Sequence, residues 1–291
     1  MFPATATDRP RARYGLATVS DVDAYLDPPP ATWRPVGPAE TAAANRRWWE
    51  DNADEYQAEH GGFLDAGGFV WGPEGLTEAE AGLLGDVRGT RVLEAGCGAA
   101  RCTAWLAARG AHAVGVDIAW RQLQHSRLAD DPDGPATPVA QADARALPFT
   151  DAVFDTVFAA YGASQFVADS TAVTAECARV LRPGGRFVFS VTHPIRWSFP
   201  DDPGERGLVA CHPYFDRTPY VEQDPDGTVT YVEHHRTLGD RVREITAAGL
   251  RLLDLVEPEW PAGRAESWDA WSPDRGRIIP GTAIFVCERA R

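Results

Sequence analysis

Short apolar runs alternate with longer amphipathic stretches along most of the chain. The runs that predict β-strands lie near residues 90–95, 112–117, 137–141, 153–159, 186–192, 250–257 and 281–288. The stretches that predict helices lie near 41–60, 100–109, 119–129, 170–181 and 237–248. Thr77 and Glu80 have the spacing of a capping box, which predicts a further short helix. Alternating strands and helices are typical of an α/β protein, so we expect a Rossmann-like, seven-stranded, mostly parallel sheet with helices on both faces.

The first apolar run of this sheet ends in an acidic and glycine-rich segment. Glu94 closes the run, and Gly96 and Gly98 follow it on either side of Cys97. Glycine allows backbone to approach a ligand closely. The helix predicted from Ala99 onward would turn its free N–H groups toward the same ligand. The segment therefore predicts a binding loop at the end of the first sheet strand.

Acidic residues also end the next two apolar runs, at Asp117 and Asp143. A carboxylate at the end of the second strand can accept hydrogen bonds from both hydroxyls of a ribose, which indicates a ligand that contains adenosine. Arg101 occupies the sixth position of the dinucleotide-binding pattern, where glycine or alanine is typical. This weakens the NAD(P) interpretation without excluding it.

Five motifs in this order resemble those of the class I S-adenosylmethionine-dependent methyltransferases that act on small molecules and quinones. They are Val92 to Gly98, Val116-Asp117, Ala142-Asp143 before Leu147-Pro148-Phe149, Phe154-Asp155, and Arg179 to Gly185. The resemblance covers roughly residues 45–290, and Ala100 stands where this family often has a third glycine. It implies S-adenosylmethionine as cofactor and methyl transfer as the activity.

The resemblance also implies a role for each residue of the donor site. At the methionine end, Glu94 orders the amino end of the donor through the glycine loop, and Ala160 or Tyr161 lies near the methionine amine. Gly96, Cys97 and Gly98 lie beside the methionine part and the sugar, and Asp117 holds the ribose. At the adenine, Ile118 packs on the ring, Asp143 accepts from the exocyclic amine, and the Ala144 N–H faces a ring nitrogen. For Asp117 and Asp143 the simpler alternative is a purely structural role.

The catalytic residue is harder to predict. Relatives often have a histidine near the transferred methyl group, and this chain has Gln165 there, which can orient an acceptor but cannot act as a base. His193 follows the predicted fifth strand and is our candidate base, the alternative being a histidine bonded within a turn before Pro194. Because a sulfonium is already activated, positioning of the acceptor can drive the in-line displacement without a base.

Two segments are additional to the minimal fold. Residues 193–236 are rich in aromatic residues and histidine, and we expect a lid over the acceptor pocket, the alternative being a structural subdomain. Residues 258–280 contain three tryptophans. We predict that residues 1–40 form an N-terminal arm, which is either loose or clasping. We predict that residues 41–291 form one methyltransferase domain, which includes the insert. Trp49, Ala53 and Tyr56 lie on one face of the helix predicted near 41–60. This face either packs over the methionine end of the donor or forms part of the hydrophobic core.

The amino-acid composition limits the classes of molecule that the protein is expected to bind. The 291 residues carry a net charge of −14 and no lysine, which disfavours nucleic acid and excludes lysine-based chemistry. We predict no membrane insertion, and the five cysteines lack the spacing of a disulfide framework or a metal site, so we expect a reduced, cytoplasmic protein without metal. The predicted function is methyl transfer from S-adenosylmethionine to a small-molecule acceptor. The alternatives are an NAD(P)-binding oxidoreductase and a non-catalytic S-adenosylmethionine-binding protein; oligomeric state is not predicted.

Overall fold

The computed structural model of the protein describes residues 31–129, 136–268 and 270–291. The strands are β1 (Ala31–Trp33), β2 (Arg91–Ala95), β3 (His112–Asp117), β4 (Val139–Gln141), β5 (Phe154–Ala159), β6 (Leu181–Thr192), β7 (Tyr220–Gln223), β8 (Val229–Glu233), β9 (Leu250–Val256) and β10 (Thr282–Arg289). The α-helices are α1 (Pro38–Asp51), α2 (Ala53–Gly67), α3 (Glu78–Ala81), α4 (Arg101–Ala107), α5 (Trp120–Ala129), α6 (Ser170–Val180), α7 (Leu238–Ala247) and α8 (Pro273–Gly276).

Seven of the strands form one sheet in the order β4-β3-β2-β5-β6-β10-β9. The pairs from β4 to β6 are parallel, and β10 runs antiparallel to both of its neighbours. Strands β3 and β4 follow β2 along the chain and lie on one side of it, whereas β5 and β6 lie on its other side. The strand order therefore reverses between β2 and β5. Ligands of open α/β sheets bind outside the carboxyl ends of the strands at that point.

Both faces of this sheet are buried, because alternate residues along each strand point to opposite faces. Leu93, Val157 and Phe187 belong to one core cluster, with Val173 of α6 and Ile245 of α7. Val92, Phe158, Val188 and Ile284 belong to the other cluster, with Phe69, Trp71 and Leu106. The sheet strands are therefore nearly continuous apolar runs, as expected for a sheet covered on both sides.

A second, smaller sheet combines the hairpin of the insert with a strand from the start of the described chain. Its antiparallel strands have the order β1-β7-β8, so the segment just before α1 pairs with the hairpin of the insert. Asn45 on α1 joins the same unit: its Nδ2 donates to the Val232 carbonyl oxygen at 2.8 Å and its Oδ1 accepts from the Val232 N–H at 2.8 Å. The insert is thus hydrogen-bonded to α1, a helix outside the sheet.

The Rossmann-like fold, all seven sheet strands and the capping box of α3 are confirmed. The single helix predicted near 41–60 is wrong, because the chain breaks at Asn52, whose Nδ2 donates to the Trp48 carbonyl oxygen at 2.9 Å. Strand β6, which is the predicted fifth strand, begins at Leu181, earlier than predicted. Its pairing with β5 jumps from Leu181 to Arg186, so residues 182–185 bulge out.

The predicted arm lies mostly outside the described residues, which begin at Ala31. Its described part forms β1 and the start of α1, and the division at residue 40 stays a prediction. Within the described ranges, no helix is both long and apolar enough to cross a membrane.

Candidate active site

Two adjoining cavities lie along the carboxyl ends of the sheet strands. The first, the glycine-loop cavity, has a volume of about 210 Å³ and is lined by the loop after β2. The second, the insert cavity, has a volume of about 350 Å³ and is lined in part by β7 and β8. The two cavities share five lining residues, Trp49, Tyr56, Tyr161, Phe166 and Trp268. The two cavities are therefore neighbours that meet at these five side chains.

All ten residues that we predicted for the donor site line the glycine-loop cavity: Glu94, Gly96, Cys97, Gly98, Asp117, Ile118, Asp143, Ala144, Ala160 and Tyr161. They come from four strand ends and the loops that follow them. Parallel strands place their carboxyl ends on one edge of a sheet, which brings these distant positions together. Their individual roles stay predictions.

The glycine loop is held by backbone hydrogen bonds to the neighbouring strand. The N–H groups of Gly96 and Cys97 both donate to the Val116 carbonyl oxygen, at 2.8 and 3.0 Å. Gly96 has φ +74°, a conformation that side chains disfavour, and a Cβ there would lie 3.1 Å from the backbone nitrogen of Ala163. Ala100 adopts φ 54° at the start of α4, which is why glycine would also suit that position.

Asp117 supports this loop from the end of β3. Its Oδ2 accepts from the Gly98 N–H at 2.9 Å, and its Oδ1 accepts from the Ala119 N–H at 2.9 Å. Burial raises the pKa of Asp117 above its ordinary value, against the effect of these hydrogen bonds. Each carboxylate oxygen keeps further acceptor capacity, as ribose binding would require.

Glu94 joins β2 to the start of α4. Its Oε2 accepts from the Thr103 N–H at 2.9 Å and from the Thr103 hydroxyl at 2.5 Å. The side chain is almost fully buried, and burial raises the pKa of Glu94 to about 8 despite these hydrogen bonds. A large fraction of Glu94 is therefore protonated at neutral pH in the absence of a ligand.

Asp143 is bonded to its own loop. Arg145 donates to it from Nε, at 3.1 Å, and from Nη2, at 2.6 Å, and the Arg145 N–H donates to Oδ1 at 2.8 Å. Burial raises the pKa of Asp143, but the hydrogen bonds from Arg145 outweigh it, and the pKa lies below its ordinary value. Asp143 is thus a carboxylate whose acceptor capacity is already shared with Arg145.

Backbone strain is concentrated after β5. Tyr161 and Ala163 have φ values of 56° and 61°, a region that costs a non-glycine residue about 1–2 kcal/mol. The Tyr161 N–H donates to the Ser190 Oγ at 2.7 Å, which holds this turn against β6. Both residues line the glycine-loop cavity, so the strained turn forms part of its wall.

Helices α1 and α2 cover the cavity. Trp49 and Tyr56 line both cavities, with ring centroids 5.3 Å apart, while Ala53 is fully buried between them. Arg101 at the start of α4 donates to Asp65 on α2 at 2.5 Å and also bonds Gln57 Oε1. In the sequence, Arg101 is notable only as a departure from the dinucleotide pattern, and its contacts with α2 show that it fastens the covering helix.

Gln122 on α5 was also missed. It lines the glycine-loop cavity, is 2% exposed and accepts from Gln57 Nε2 at 2.8 Å through Oε1. Its own Nε2 has no hydrogen-bond partner among the described residues. No local sequence pattern distinguishes this glutamine from others on an amphipathic helix.

His193 is the predicted residue that the structure does not bring to the site. It is not among the described residues that line either cavity. Its Nε2 lies 2.7 Å from Glu257 Oε1, and its Nδ1 accepts from the Ile195 N–H at 3.1 Å. Nδ1 is bonded within the turn before Pro194 and Nε2 is bonded to Glu257, so this geometry favours the structural alternative over the base.

Comparisons with known proteins agree with this geometry. A methyltransferase-domain family model matches residues 93–189. A demethylmenaquinone methyltransferase of Mycobacterium sp. (strain KMS) is 36% identical over 170 residues, which cover 57% of this chain and 70% of that protein. The chain belongs to the class I S-adenosylmethionine-dependent methyltransferases.

Two further matches are consistent with this family. The O-methyltransferase cnsE of Penicillium expansum is 33% identical over 162 residues, which cover 54% of this chain and 53% of that protein. The solved structure of an S-adenosylmethionine-dependent methyltransferase from Mesorhizobium loti has a TM-score of 0.55 at 23% identity, over 72% of this chain and 96% of that one, and shows the shared fold.

The methyltransferase uses S-adenosylmethionine as its donor, which decides against the oxidoreductase and the non-catalytic alternatives. The glycine-loop cavity fits this donor. A Cβ at Gly98 would meet only Gln122 Oε1, at 3.8 Å, so the glycine leaves space beside the loop, and the unused Nε2 of Gln122 can donate to a ligand. When bound, the donor supplies an activated methyl group. Among the described residues, no group of three or more metal-ligating side chains could hold a metal ion.

Proposed function

We propose that this methyltransferase transfers the methyl group to a small organic molecule held in the insert cavity. The observation that carries the proposal is the shared wall: Tyr161, Phe166 and Trp268 contact both cavities, so a donor in one and an acceptor in the other would be neighbours. Relatives named for methylating a quinone or an oxygen atom support the class of acceptor. Aromatic rings on several sides suit an apolar or aromatic molecule.

In this proposal the glycine loop and Asp117 orient the donor, Ile118, Asp143 and Ala144 hold its adenine, and Ala160 or Tyr161 meets its methionine amine. Helix α2, which Arg101 fastens, and helix α1 cover both cavities and limit the access of water to the reacting groups. Positioning of two reactants can lower a barrier by roughly 7–11 kcal/mol. The net charge of −14 supports an acceptor that is not a nucleic acid. The irregular spacing of the five cysteines supports a reducing, cytoplasmic location.

The acceptor assignment is tested by narrowing the insert cavity from a strand end. Thr192 lines this cavity, and its hydroxyl bonds the Tyr161 hydroxyl at 3.4 Å. Thr192→Met adds bulk there, so we expect the acceptor KM to rise by about tenfold, with affinity for S-adenosylhomocysteine unchanged. Methyl transfer is followed by S-adenosylhomocysteine formation over a panel of quinones, phenols and amines.

Thr246→Met, at an exposed position on α7, is the matched control and should leave KM unchanged. If Thr192→Met leaves the acceptor KM unchanged while the protein remains folded, the acceptor does not bind in the insert cavity. Replacement of the whole insert is less informative, because Asn45 on α1 bonds Val232 and also lines the glycine-loop cavity. Loss of the insert would therefore disturb donor binding as well.

A further inference from the structure

The hairpin β7-β8 presents a repeated pair of residue types to the insert cavity. Tyr220 and Glu222 on β7, and Tyr231 and Glu233 on β8, all line it. They are cross-strand partners, since Tyr220 pairs with Glu233 and Glu222 with Tyr231. Residues two apart lie on the same face of a strand, so the four side chains form a checkerboard of two phenols and two carboxylates.

The carboxylates are held by the neighbouring phenols. The Tyr231 hydroxyl donates to Glu233 Oε1 at 2.7 Å, and the Tyr220 hydroxyl donates to Glu222 Oε1 at 3.0 Å. A tyrosine hydroxyl has a single proton to donate, so each carboxylate keeps acceptor sites for other donors. The hairpin thus offers the cavity hydrogen-bond acceptors that carry negative charge.

The rest of the cavity wall has the same character. Five carboxylates line it, those of Glu55, Glu59, Asp201, Glu222 and Glu233. The arginine in the wall, Arg196, is paired with Asp201 at 3.0 Å, so the cavity keeps an excess of negative charge. Aromatic rings make up most of the remaining wall, among them those of Trp48, Trp49, Trp268 and Trp271. Carboxylates and the faces of aromatic rings both attract cations.

An independent observation indicates that the ligand donates hydrogen bonds. Gln165 lines the insert cavity and is 3% exposed, and its Nε2 donates to the Tyr161 carbonyl oxygen at 3.2 Å. Its Oε1 is buried and has no hydrogen-bond partner among the described residues. A buried acceptor without a partner costs about 1–3 kcal/mol, which a donor on the ligand would recover.

We propose that the acceptor is a primary or secondary amine on an apolar or aromatic body, that it binds as an ammonium ion in the insert cavity, and that Glu233 takes the proton its nitrogen loses. This rests on the proposed function and adds the methylated atom to it. Gln165 Oε1 accepts from a second N–H, and the tryptophan rings surround the cation.

The Glu233 carboxylate removes one N–H proton from the ammonium, which frees the nitrogen lone pair. The nitrogen forms a bond to the methyl carbon as the carbon–sulfur bond breaks, and the electron pair of that bond stays on sulfur. The products are an N-methylammonium ion and S-adenosylhomocysteine, and protonated Glu233 returns its proton to water.

The electrostatics of Glu233 suit this role. Burial raises its pKa to about 7, while Arg196 and the Tyr231 hydrogen bond lower it and Asp201 and Glu222 raise it further. A proton acceptor is most effective when its pKa lies near the working pH. Because the ionised form is the active one, the rate of methyl transfer should rise with pH through about 7.

The charge preference is tested with three ligands that share one carbon skeleton. We would titrate 2-phenylethylamine, 2-phenylethanol and phenylacetate into the S-adenosylhomocysteine complex by calorimetry. The amine should bind at least about tenfold more tightly than the alcohol, and the acid most weakly. If the alcohol or the acid binds as tightly as the amine, the proposal is wrong, whereas the proposed function would fail only if Thr192→Met left acceptor binding unchanged.

The role of Glu233 is tested by Glu233→Gln, with Glu222→Gln as the matched carboxylate. Glu233→Gln should lower kcat for 2-phenylethylamine by about 10²-fold and abolish the rise with pH, with unchanged S-adenosylhomocysteine affinity. Glu222→Gln should weaken amine binding but keep that rise. Tyr231→Phe removes the hydrogen bond that stabilises the carboxylate, so it should move the rise to higher pH. If Glu233→Gln keeps the pH profile of the wild type, or if Tyr231→Phe does not shift it, Glu233 is not the proton acceptor.

Discussion

The buried carboxyl of Glu94 makes stability depend on pH in a direction opposite to that of most acidic residues. Its pKa is 4.5 in an exposed chain and about 8 in the fold, so between these values the folded protein holds a proton that the unfolded chain releases. The stability contributed by this proton is complete below pH 4.5 and is lost as pH rises toward 8. Glu94→Gln should remove the dependence, because glutamine has the shape of the protonated acid and can still accept from Thr103.

The size of the effect follows from the two pKa values. They lie about 3.5 apart, and each pH unit corresponds to 1.36 kcal/mol, which gives an upper bound of about 5 kcal/mol. We expect Glu94→Gln to match the wild type within about 1 kcal/mol at pH 5 and to be about 2–5 kcal/mol more stable at pH 8. Asp117, whose pKa is also raised, leaves both proteins with part of the same dependence.

Urea unfolding of the donor-free protein between pH 5 and 8.5 measures this difference. Burial lowers the pKa values of His234 and His235, so these residues make stability rise with pH in both proteins. We therefore compare the difference in unfolding free energy between Glu94→Gln and the wild type at each pH. Glu259→Gln, at an exposed position, is the control and should run parallel to the wild type. If the gap in unfolding free energy between Glu94→Gln and the wild type stays constant across this range, Glu94 does not hold a proton in the folded protein that the unfolded chain releases.

Three further predictions concern the site and the insert. Asp117→Ala should weaken S-adenosylmethionine binding by about 1.5–3 kcal/mol in calorimetric titration, and equal affinities would contradict a role in binding the donor. His193→Ala should leave kcat within about threefold of the wild type, because both ring nitrogens are used outside the cavities; a fall of about 10²-fold would restore the base. Asn45→Ala should lower the free energy of unfolding by about 2–4 kcal/mol in urea, because it leaves the carbonyl oxygens of Phe166 and Val232 without their side-chain donor; a loss below about 0.5 kcal/mol would contradict its anchoring role.

The sheet was predictable because its determinants are local. The alternation of apolar runs with amphipathic stretches located seven strands, and the capping box of Thr77 and Glu80 located α3. The grouping of the predicted donor-site residues in one cavity was predictable for a related reason. Glu94, Asp117 and Asp143 each follow an apolar run, and parallel strands must place such ends on one edge. Residues far apart in the chain thus met in one cavity without any knowledge of side-chain packing.

Other features depended on contacts that no local pattern contains. His193 had the right position after a strand, but its orientation depends on Glu257 and on the Ile195 N–H. The break between α1 and α2 follows from Asn52, whose side chain bonds Trp48, in a stretch with helical periodicity on both sides. The repeated tyrosine and glutamate pairs of the hairpin were present in the sequence, but only pairing of β7 with β8 places them on one face.

Local sequence patterns therefore specified the architecture, the identity of the donor and the glycine loop of its predicted site, because period-two burial and strand-end chemistry are encoded over a few residues. The tertiary structure decided what faces the acceptor. The insert cavity draws its wall from α1 and α2, from the hairpin and from the segment around Trp268, so its lining residues extend from Trp48 to Trp271 along the chain. Which side chains of such distant segments point inward depends on packing and strand register, and a shift of one residue in a strand would exchange its two faces.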